Sequence, residues 1–310
     1  MRQKSILLIL PYFGKWPVWF DAYLVSVSKN DTINWLIITD CEIPQSYPKN
    51  INFVATSLLE LNEKVNQVVE ASVLLTPRKF CDLKPAYGDI FKEHSTGYDF
   101  WGFCDMDIIW GDIRKFITDD VLEHYDIISS RKDAISGHFN LFRNSPELNV
   151  LYKQVPQYRE LFEAPKFMWF DEAKLTSFIK QKKEENQFDY QVYWNTILLN
   201  QERGVDSRQE YYLDRWLWQE GKMFEVWNGN SLKEVMYLHF INWKRFIKYC
   251  DVDCLDQPKQ FYISYSGIHY KAHSGIEKAK NTFKNYFDGY YNKLWRISIK
   301  NKIIKGLRKQ

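Results

Sequence analysis

Two aspartates, Asp105 and Asp107, close the apolar run FWGFC in the stretch YDFWGFCDMDIIWGDIRKF, Tyr98 to Phe116. Residues i and i+2 of an extended chain point to the same side, so both carboxylates can face one cation. Two carboxylates without a sulfur or imidazole close in sequence favour a hard divalent ion, Mg²⁺ or Mn²⁺, which completes its shell with waters and phosphate oxygens. A solvated turn is the competing reading, since Asp is common in loops. The buried strand before the pair weighs for the ion, because open parallel α/β sheets gather ligands beyond the carboxyl ends of their strands.

Other chemistry-bearing residues are open to two readings on residue type alone. His239, between Leu238 and Phe240 in YLHFI, fits a satisfied core histidine or a ligand. Glu172, beside Asp171 in WFDEAKL, fits a helix-start cap or a reactive carboxylate. Tyr12 and Phe13 after the first strand could stack on a base or cover the core.

The elements that must position these residues are legible from patterning. SILLIL (Ser5 to Leu10), closed by Pro11 and Gly14, and WLIITD (Trp35 to Asp40) read as strands buried on both faces. The segment WPVWFDAYLVSVSKN between them reads as a helix, giving a βαβ unit and a mostly parallel sheet. NINFVAT, YDFWGFC and HYDIISS supply further strands, and SLLELNEKVNQVVEAS a short helix. TPRKFCDLKPAYGDIFKEH is a loop entering a helix. Past about Lys180 the pattern turns to helices and short aromatic-rich segments, with YLHFI as a late strand. Pro11, Tyr12 and Asp40 stand at the ends of the first two strands, where a nucleotide is expected.

At 310 residues the chain can bury a substantial core, and 45% hydrophobic with 17% aromatic residues excludes a disordered chain. The five cysteines are odd in number and lack paired C-x-x-C spacing, against a disulfide framework or zinc ribbon and for a reducing compartment. Arg2 and Lys4 precede an apolar run that Pro11 soon ends, so neither a signal segment nor a membrane span is expected, and the location is cytoplasmic. Charge is uneven. Lys278 to Gln310 carries ten basic residues against Asp288, a net +9; with +3 for the whole chain, the remainder is −6. Charge confined to one end argues against nucleic acid. Phe283, Tyr286, Phe287, Tyr290, Leu294, Ile297 and Ile304 recur there at three- and four-residue steps, so the tail reads as a basic amphipathic segment, packed on the protein or lying on an anionic inner leaflet.

The order of these motifs resembles GT-A-fold glycosyltransferases that use nucleotide-diphosphate sugars, in particular retaining bacterial, toxin-type and glycogenin-like members. D-x-D about a hundred residues into a βαβ-type domain is similar to their metal motif. CDLKPAYGDIF is similar to the helix that approaches nucleotide and donor sugar, which places Asp82 and Lys84 at the donor. SGHFNLF resembles a small-Gly-x-x-Leu-Phe strand whose Gly, here Gly137, lets backbone approach the sugar. WFDEAKL resembles Asp-Gln-x-x-Leu: Asp171 would hold sugar hydroxyls and Glu172 lie under the anomeric carbon, Glu in place of Gln making a carboxylate nucleophile chemically possible. YLHFINWKRF resembles the late His-to-Lys motif, implying His239 as third metal ligand and Lys244 on the diphosphate.

The resemblance implies a GT-A-type α/β fold with a mixed, mostly parallel sheet and a helical C-terminal extension. It implies a catalytic domain over 1–246 and an extension over 247–310. It further implies a retaining transfer of galactose or glucose from a UDP-sugar, dependent on Mn²⁺ or Mg²⁺, to a saccharide acceptor that is lipid-linked in capsule or O-antigen assembly, with peripheral contact to the inner membrane and no nucleic acid partner. A nucleotide-sugar phosphohydrolase and a non-catalytic carbohydrate-binding protein are the alternatives. The first lacks a multi-Asp or His-rich two-metal cluster, and the second has no need of D-x-D at a strand end.

Overall fold

The computed structural model describes residues 2–194, 214–226, 231–241 and 243–289, together with 292, 293, 295, 296, 299, 300, 302 and 303. Strand β1 (Ile6–Tyr12) pairs in parallel with β2 (Ile33–Thr39) on one side and β4 (Phe100–Cys104) on the other, and β2 pairs in parallel with β3 (Ile51–Ala55). Antiparallel β7 (Phe139–Arg143) follows β4, then β6 (Ile127–Ser129) and β8 (Val192–Trp194), giving the order β3-β2-β1-β4-β7-β6-β8. Gly102 permits the close approach of β4 to β7, since a Cβ there would lie 2.3 Å from the Asn140 carbonyl oxygen. This is the mixed, mostly parallel α/β sheet that the resemblance implies.

Alternation along β1 divides the core. Leu7 and Ile9 pack with Leu61, Val65 and Tyr87 on one face; Ile6, Leu8 and Leu10 pack with Phe20, Tyr23 and Trp35 on the other. Helix α1 (Phe20–Ser28) covers the second face and starts later than its sequence suggests, because Pro17 and Trp19 form the turn that leads into it. Helix α2 (Leu58–Val69) lies on the first face, begun by a capping box in which Ser57 and Glu60 satisfy each other's backbone N–H groups.

The chain beyond Lys180 differs from its patterning. Strands β9 (Trp216–Gln219), β10 (Lys222–Val226), β11 (Leu232–Val235), β13 (Tyr249–Cys250), β14 (Gln260–Ile263) and β15 (Gly267–His269) form a second sheet, ordered β11-β10-β9-β14-β15-β13. Strands of two to five residues are too short to print a period on the sequence. The one local signal is Glu220-Gly221, both at positive φ, which closes the β9–β10 hairpin. Residue 246, the expected end of the catalytic domain, lies inside the span of this sheet, and the C-terminal part turns helical only at Gly275. Ala22 and Val25 of α1 pack against this sheet while Phe20, Tyr23, Leu24 and Val27 pack against the first, so α1 is buried between the two.

One antiparallel ribbon positions the site. Strand β5 (Ile108–Trp110) leaves the first sheet after β4 and pairs with β12 (Tyr237–His239), with His239 opposite Ile108. Among the described residues no helix is long and apolar enough to cross a membrane.

Candidate active site

The aspartate pair occupies the corner between the large sheet and this ribbon. The Asp105 N–H donates to the His138 carbonyl at 3.1 Å, extending the β4–β7 ladder by one bond. Trp19 Nε1 then donates to the Met106 carbonyl at 2.9 Å, and the Asp107 carbonyl accepts from the Phe240 N–H at 3.1 Å, opening the ribbon. Backbone on both sides is thus fixed, and the carboxylates are held where the strands end.

The ribbon carries His239 to them. His239 Nε2 lies 3.7 Å from Asp107 Oδ1 and 3.9 Å from Asp105 Oδ2, and one ligand atom from each of the three residues lies within 4.8 Å of the others. Lys244, in the short 3₁₀ turn Lys244–Phe246, places Nζ 2.9 Å from Asp107 Oδ2 and remains about half exposed. Burial alone would raise the Asp107 carboxyl; His239 and Lys244 instead hold it well below the usual carboxylate range. Two carboxylates and an imidazole fit a Mn²⁺ or Mg²⁺ ion. A second trio, Asp21, Asp253 and Cys254, satisfies the same spacing, but its two carboxylates are exposed and no strand end or ribbon of the described residues frames it; burial and the neighbouring Asp21 push the Cys254 thiol up to about 12.

Two of the residues expected at the donor make their contacts inside the protein. Asp82 is fully buried and accepts from Lys79 Nζ at 2.9 Å and from the N–H groups of Met168 and Phe170 at 3.0 and 3.2 Å. Its oxygens are used inside the protein, so it fixes the segment leading into Asp171 rather than facing a sugar. Lys84, also buried, donates to Asp105 Oδ1 and to the Gly137 carbonyl. Burial favours its neutral form, yet the Asp105 charge keeps it protonated, with its pKa above the ordinary lysine value. Lys84 thus braces the first carboxylate to the glycine.

Gly137 meets the second carboxylate pair. A Cβ there would stand 2.9 Å from Glu172 Oε1 and 3.2 Å from Asp171 Oδ2, so only glycine leaves these side chains in place. Both belong to a π-helical turn, Phe170–Leu175, entered through Trp169 at φ +52°. Burial, with the Glu172 charge adding to it against the pull of Lys84, pushes the Asp171 carboxyl up to about 7. Glu172 is part-exposed and lies 3.5 Å from Arg131 Nη1.

Pro11, Tyr12 and Asp40 sit at the adjoining strand ends. Asp40 Oδ1 accepts from the Gly14 N–H at 2.7 Å and so ties down the loop after β1. The Tyr12 ring stacks on Trp16 at 5.5 Å, and its hydroxyl donates to the Lys15 carbonyl. Burial raises the Tyr12 phenol, and the charges of Lys244 and Asp107 reach it.

His138 was not singled out by its sequence. Its ring stacks on His239 at 4.1 Å and 15°, with Nδ1 3.1 Å from Ser136 Oγ and Nε2 2.8 Å from the Tyr237 hydroxyl. Burial, then the charges of His239 and Lys84, push its pKa well below the usual histidine value. The histidine inside SGHFNLF, next to the glycine already noted, was the available signal.

Residues 8–272 match a family of unknown function, DUF6625. The chain belongs to that family. No curated protein matches the sequence. Among solved structures the chain is similar to the glycosyltransferase GlyE of Streptococcus pneumoniae TIGR4, at 9% identity over 62% of this chain and 44% of that one, with a TM-score of 0.31. It is also similar to mouse xyloside xylosyltransferase 1, at 12% identity over 62% of this chain and 78% of that one, TM-score 0.30. A third is the galactosyltransferase LgtC in complex with donor and acceptor sugar analogs, at 11% identity over 56% and 69%, TM-score 0.32. The chain spans less than half the length of GlyE. Scores this low leave the chemistry to be argued from the site's own residues.

Proposed function

We propose that this chain is a metal-dependent GT-A-type glycosyltransferase. The observation that carries the reading is the convergence of Asp105, Asp107 and His239 at the carboxyl edge of a parallel sheet, with Lys244 beside them and the Gly137, Asp171 and Glu172 cluster joined to them through Lys84. The motif order in the sequence supports the same reading.

Asp105, Asp107 and His239 would hold a divalent ion, whose chemistry there would be to offset the negative charge of a bound diphosphate. Lys244, half exposed beside Asp107, turns its ammonium to the remaining phosphate oxygens and stabilises the charge that develops as the diphosphate leaves. Tyr12, at the adjoining strand end, offers a ring face for the base. Asp171, titrating near neutrality, both donates to and accepts from sugar hydroxyls. The donor C1–O bond breaks with its electron pair going to the diphosphate, and the acceptor hydroxyl oxygen bonds to C1. Two routes retain configuration: the acceptor proton passes to the departing phosphate on the same face, or the Glu172 carboxylate displaces the diphosphate to form a C1 adduct, and the acceptor hydroxyl then displaces Glu172 as its proton passes to the freed diphosphate.

The donor in this proposal is UDP-galactose or UDP-glucose, with Mn²⁺ or Mg²⁺. The acceptor is a saccharide of capsule or O-antigen assembly carried on a lipid, met at the inner face of the cell membrane through the basic tail. A donor screen on purified protein, reading nucleoside diphosphate release with and without Mn²⁺ and acceptor, tests it. Metal-dependent release from a UDP-hexose that rises with acceptor is expected. Failure of every nucleotide sugar to bind or turn over would remove the assignment.

A further inference from the structure

The C-terminal helix Gly275–Phe287 is turned inside out. A capping box starts it: Ser274 Oγ accepts from the Glu277 N–H at 3.3 Å, and Glu277 Oε2 accepts from the Ser274 N–H at 2.7 Å. Of its residues only Asn281 and Asn285 are buried. Asn281 Nδ2 donates to Asp214 Oδ1 at 3.3 Å, while neither polar atom of the Asn285 side chain has a hydrogen-bond partner. The opposite face is apolar and open. Ile276, Phe283 and Phe287 fall within about 40° of one another at 3.6 residues per turn, and are 70%, 66% and 76% exposed. The Phe283 and Phe287 rings lie against each other, with centroids 4.7 Å apart. A surface helix ordinarily buries its apolar stripe and shows its polar face to water. This one does the reverse.

We infer that this face docks on an anionic lipid bilayer. Lys280 and Lys284 rim one side of the stripe. Exposed Trp295, Ile299 and Ile303 continue at four-residue steps, interleaved with Lys293, Arg296, Lys300 and Lys302. Tyr290, Leu294, Ile297 and Ile304, which the sequence also assigns to the apolar face, lie outside the described residues. An apolar stripe with aromatic residues, edged by lysine, matches the boundary between acyl chains and acidic headgroups. A second copy of the chain is the poorer occupant, because a two-fold contact through this helix would bring two segments of net +9 together.

The test uses the full chain without donor or acceptor, so its failure is distinct from failure of the transfer reading. Co-sedimentation with phosphatidylcholine vesicles, with and without phosphatidylglycerol, at low and high salt, should show binding only to the acidic vesicles, weakened by salt. Phe283→Ser with Phe287→Ser, unchanged in net charge, should weaken that binding roughly tenfold or more. Lys280→Glu with Lys284→Glu should weaken it about as much and flatten its salt dependence. Leu255→Ser, another exposed apolar residue, serves as control and should leave binding intact. No binding to acidic vesicles at low salt would overturn the inference. So would wild-type binding by the phenylalanine variant, or a dimer in light scattering that this variant abolishes.

Discussion

Asp107 and Asp171 are both buried, at 3% and 2% exposure, yet their carboxyls are driven in opposite directions. Desolvation pushes both upward. Around Asp107 its neighbours reverse it, His239 from β12 and Lys244 from the turn beyond. Around Asp171 the charge that opposes burial is that of Lys84, already committed to Asp105 and to the Gly137 carbonyl, while Glu172 adds negative charge. One site therefore presents a fixed anion for a cation, and the other a carboxyl that gains and loses a proton near neutrality. Burial sets the size of the effect, and the neighbours set its sign.

The sharpest break of this comparison is removal of the fixed anion. Asp107→Ala should lower metal-dependent transfer by about a thousandfold or more, and nucleotide-sugar affinity should stop responding to Mn²⁺. Isothermal titration with and without the ion reads this, and undiminished turnover would sink the metal assignment. Next in size is the brace between the two clusters. Lys84→Met strands Asp105 beside an empty partner and should cost roughly 3–5 kcal/mol of stability, measured by urea unfolding.

A smaller effect separates the two retaining routes. Glu172→Gln should keep donor binding and lose on the order of a hundredfold in turnover if Glu172 bears the adduct, whereas a capping role would cost about 1 kcal/mol of stability and little activity. Product NMR showing inversion would remove the role altogether.

The fourth prediction concerns pH. The folded pKa of Asp171 lies above its ordinary value, so the folded state binds the proton more tightly than the unfolded chain. Its contribution is therefore most favourable below the ordinary carboxylate pKa of 3.8 and is lost as pH rises toward about 7. Asp171→Asn should remove this slope, at most about 1.4 kcal/mol per pH unit, and gain stability over wild type at pH values above 7. Parallel unfolding curves for the two proteins across this window would refute it. The smallest effect is expected from His138→Phe, which keeps a ring against His239 but loses the bonds to Ser136 and Tyr237. Metal affinity should fall roughly tenfold, with His138→Ala falling further and the fold intact.

How far the sequence reached depended on whether a property is local. The βαβ start, the strand FWGFC and the aspartates at its end were legible because burial on both faces prints a continuous apolar run. Gly137 beside Asp171 and Glu172 was reached through motif resemblance, and geometry places them together. Asp82 and Lys84 stand at the donor by motif resemblance, and a motif tells that a charge is present but not which way it points. Inside the fold they point at Met168, Phe170, Asp105 and Gly137. His138 escaped notice because its partner, His239, lies a hundred residues away.

By itself the sequence determined the apolar runs that make SILLIL, WLIITD and FWGFC strands buried on both faces, and the spacing that turns Asp105 and Asp107 to one side. Each rests on backbone geometry over a few residues. Tertiary structure decided that β12 lies against β5, so that His239 and Lys244 reach Asp107. It decided that two- to five-residue strands after residue 215 close into a sheet around α1, and that the last helix packs by its asparagines. Those outcomes depend on which distant surfaces exclude water together, and no local run of residues carries that information.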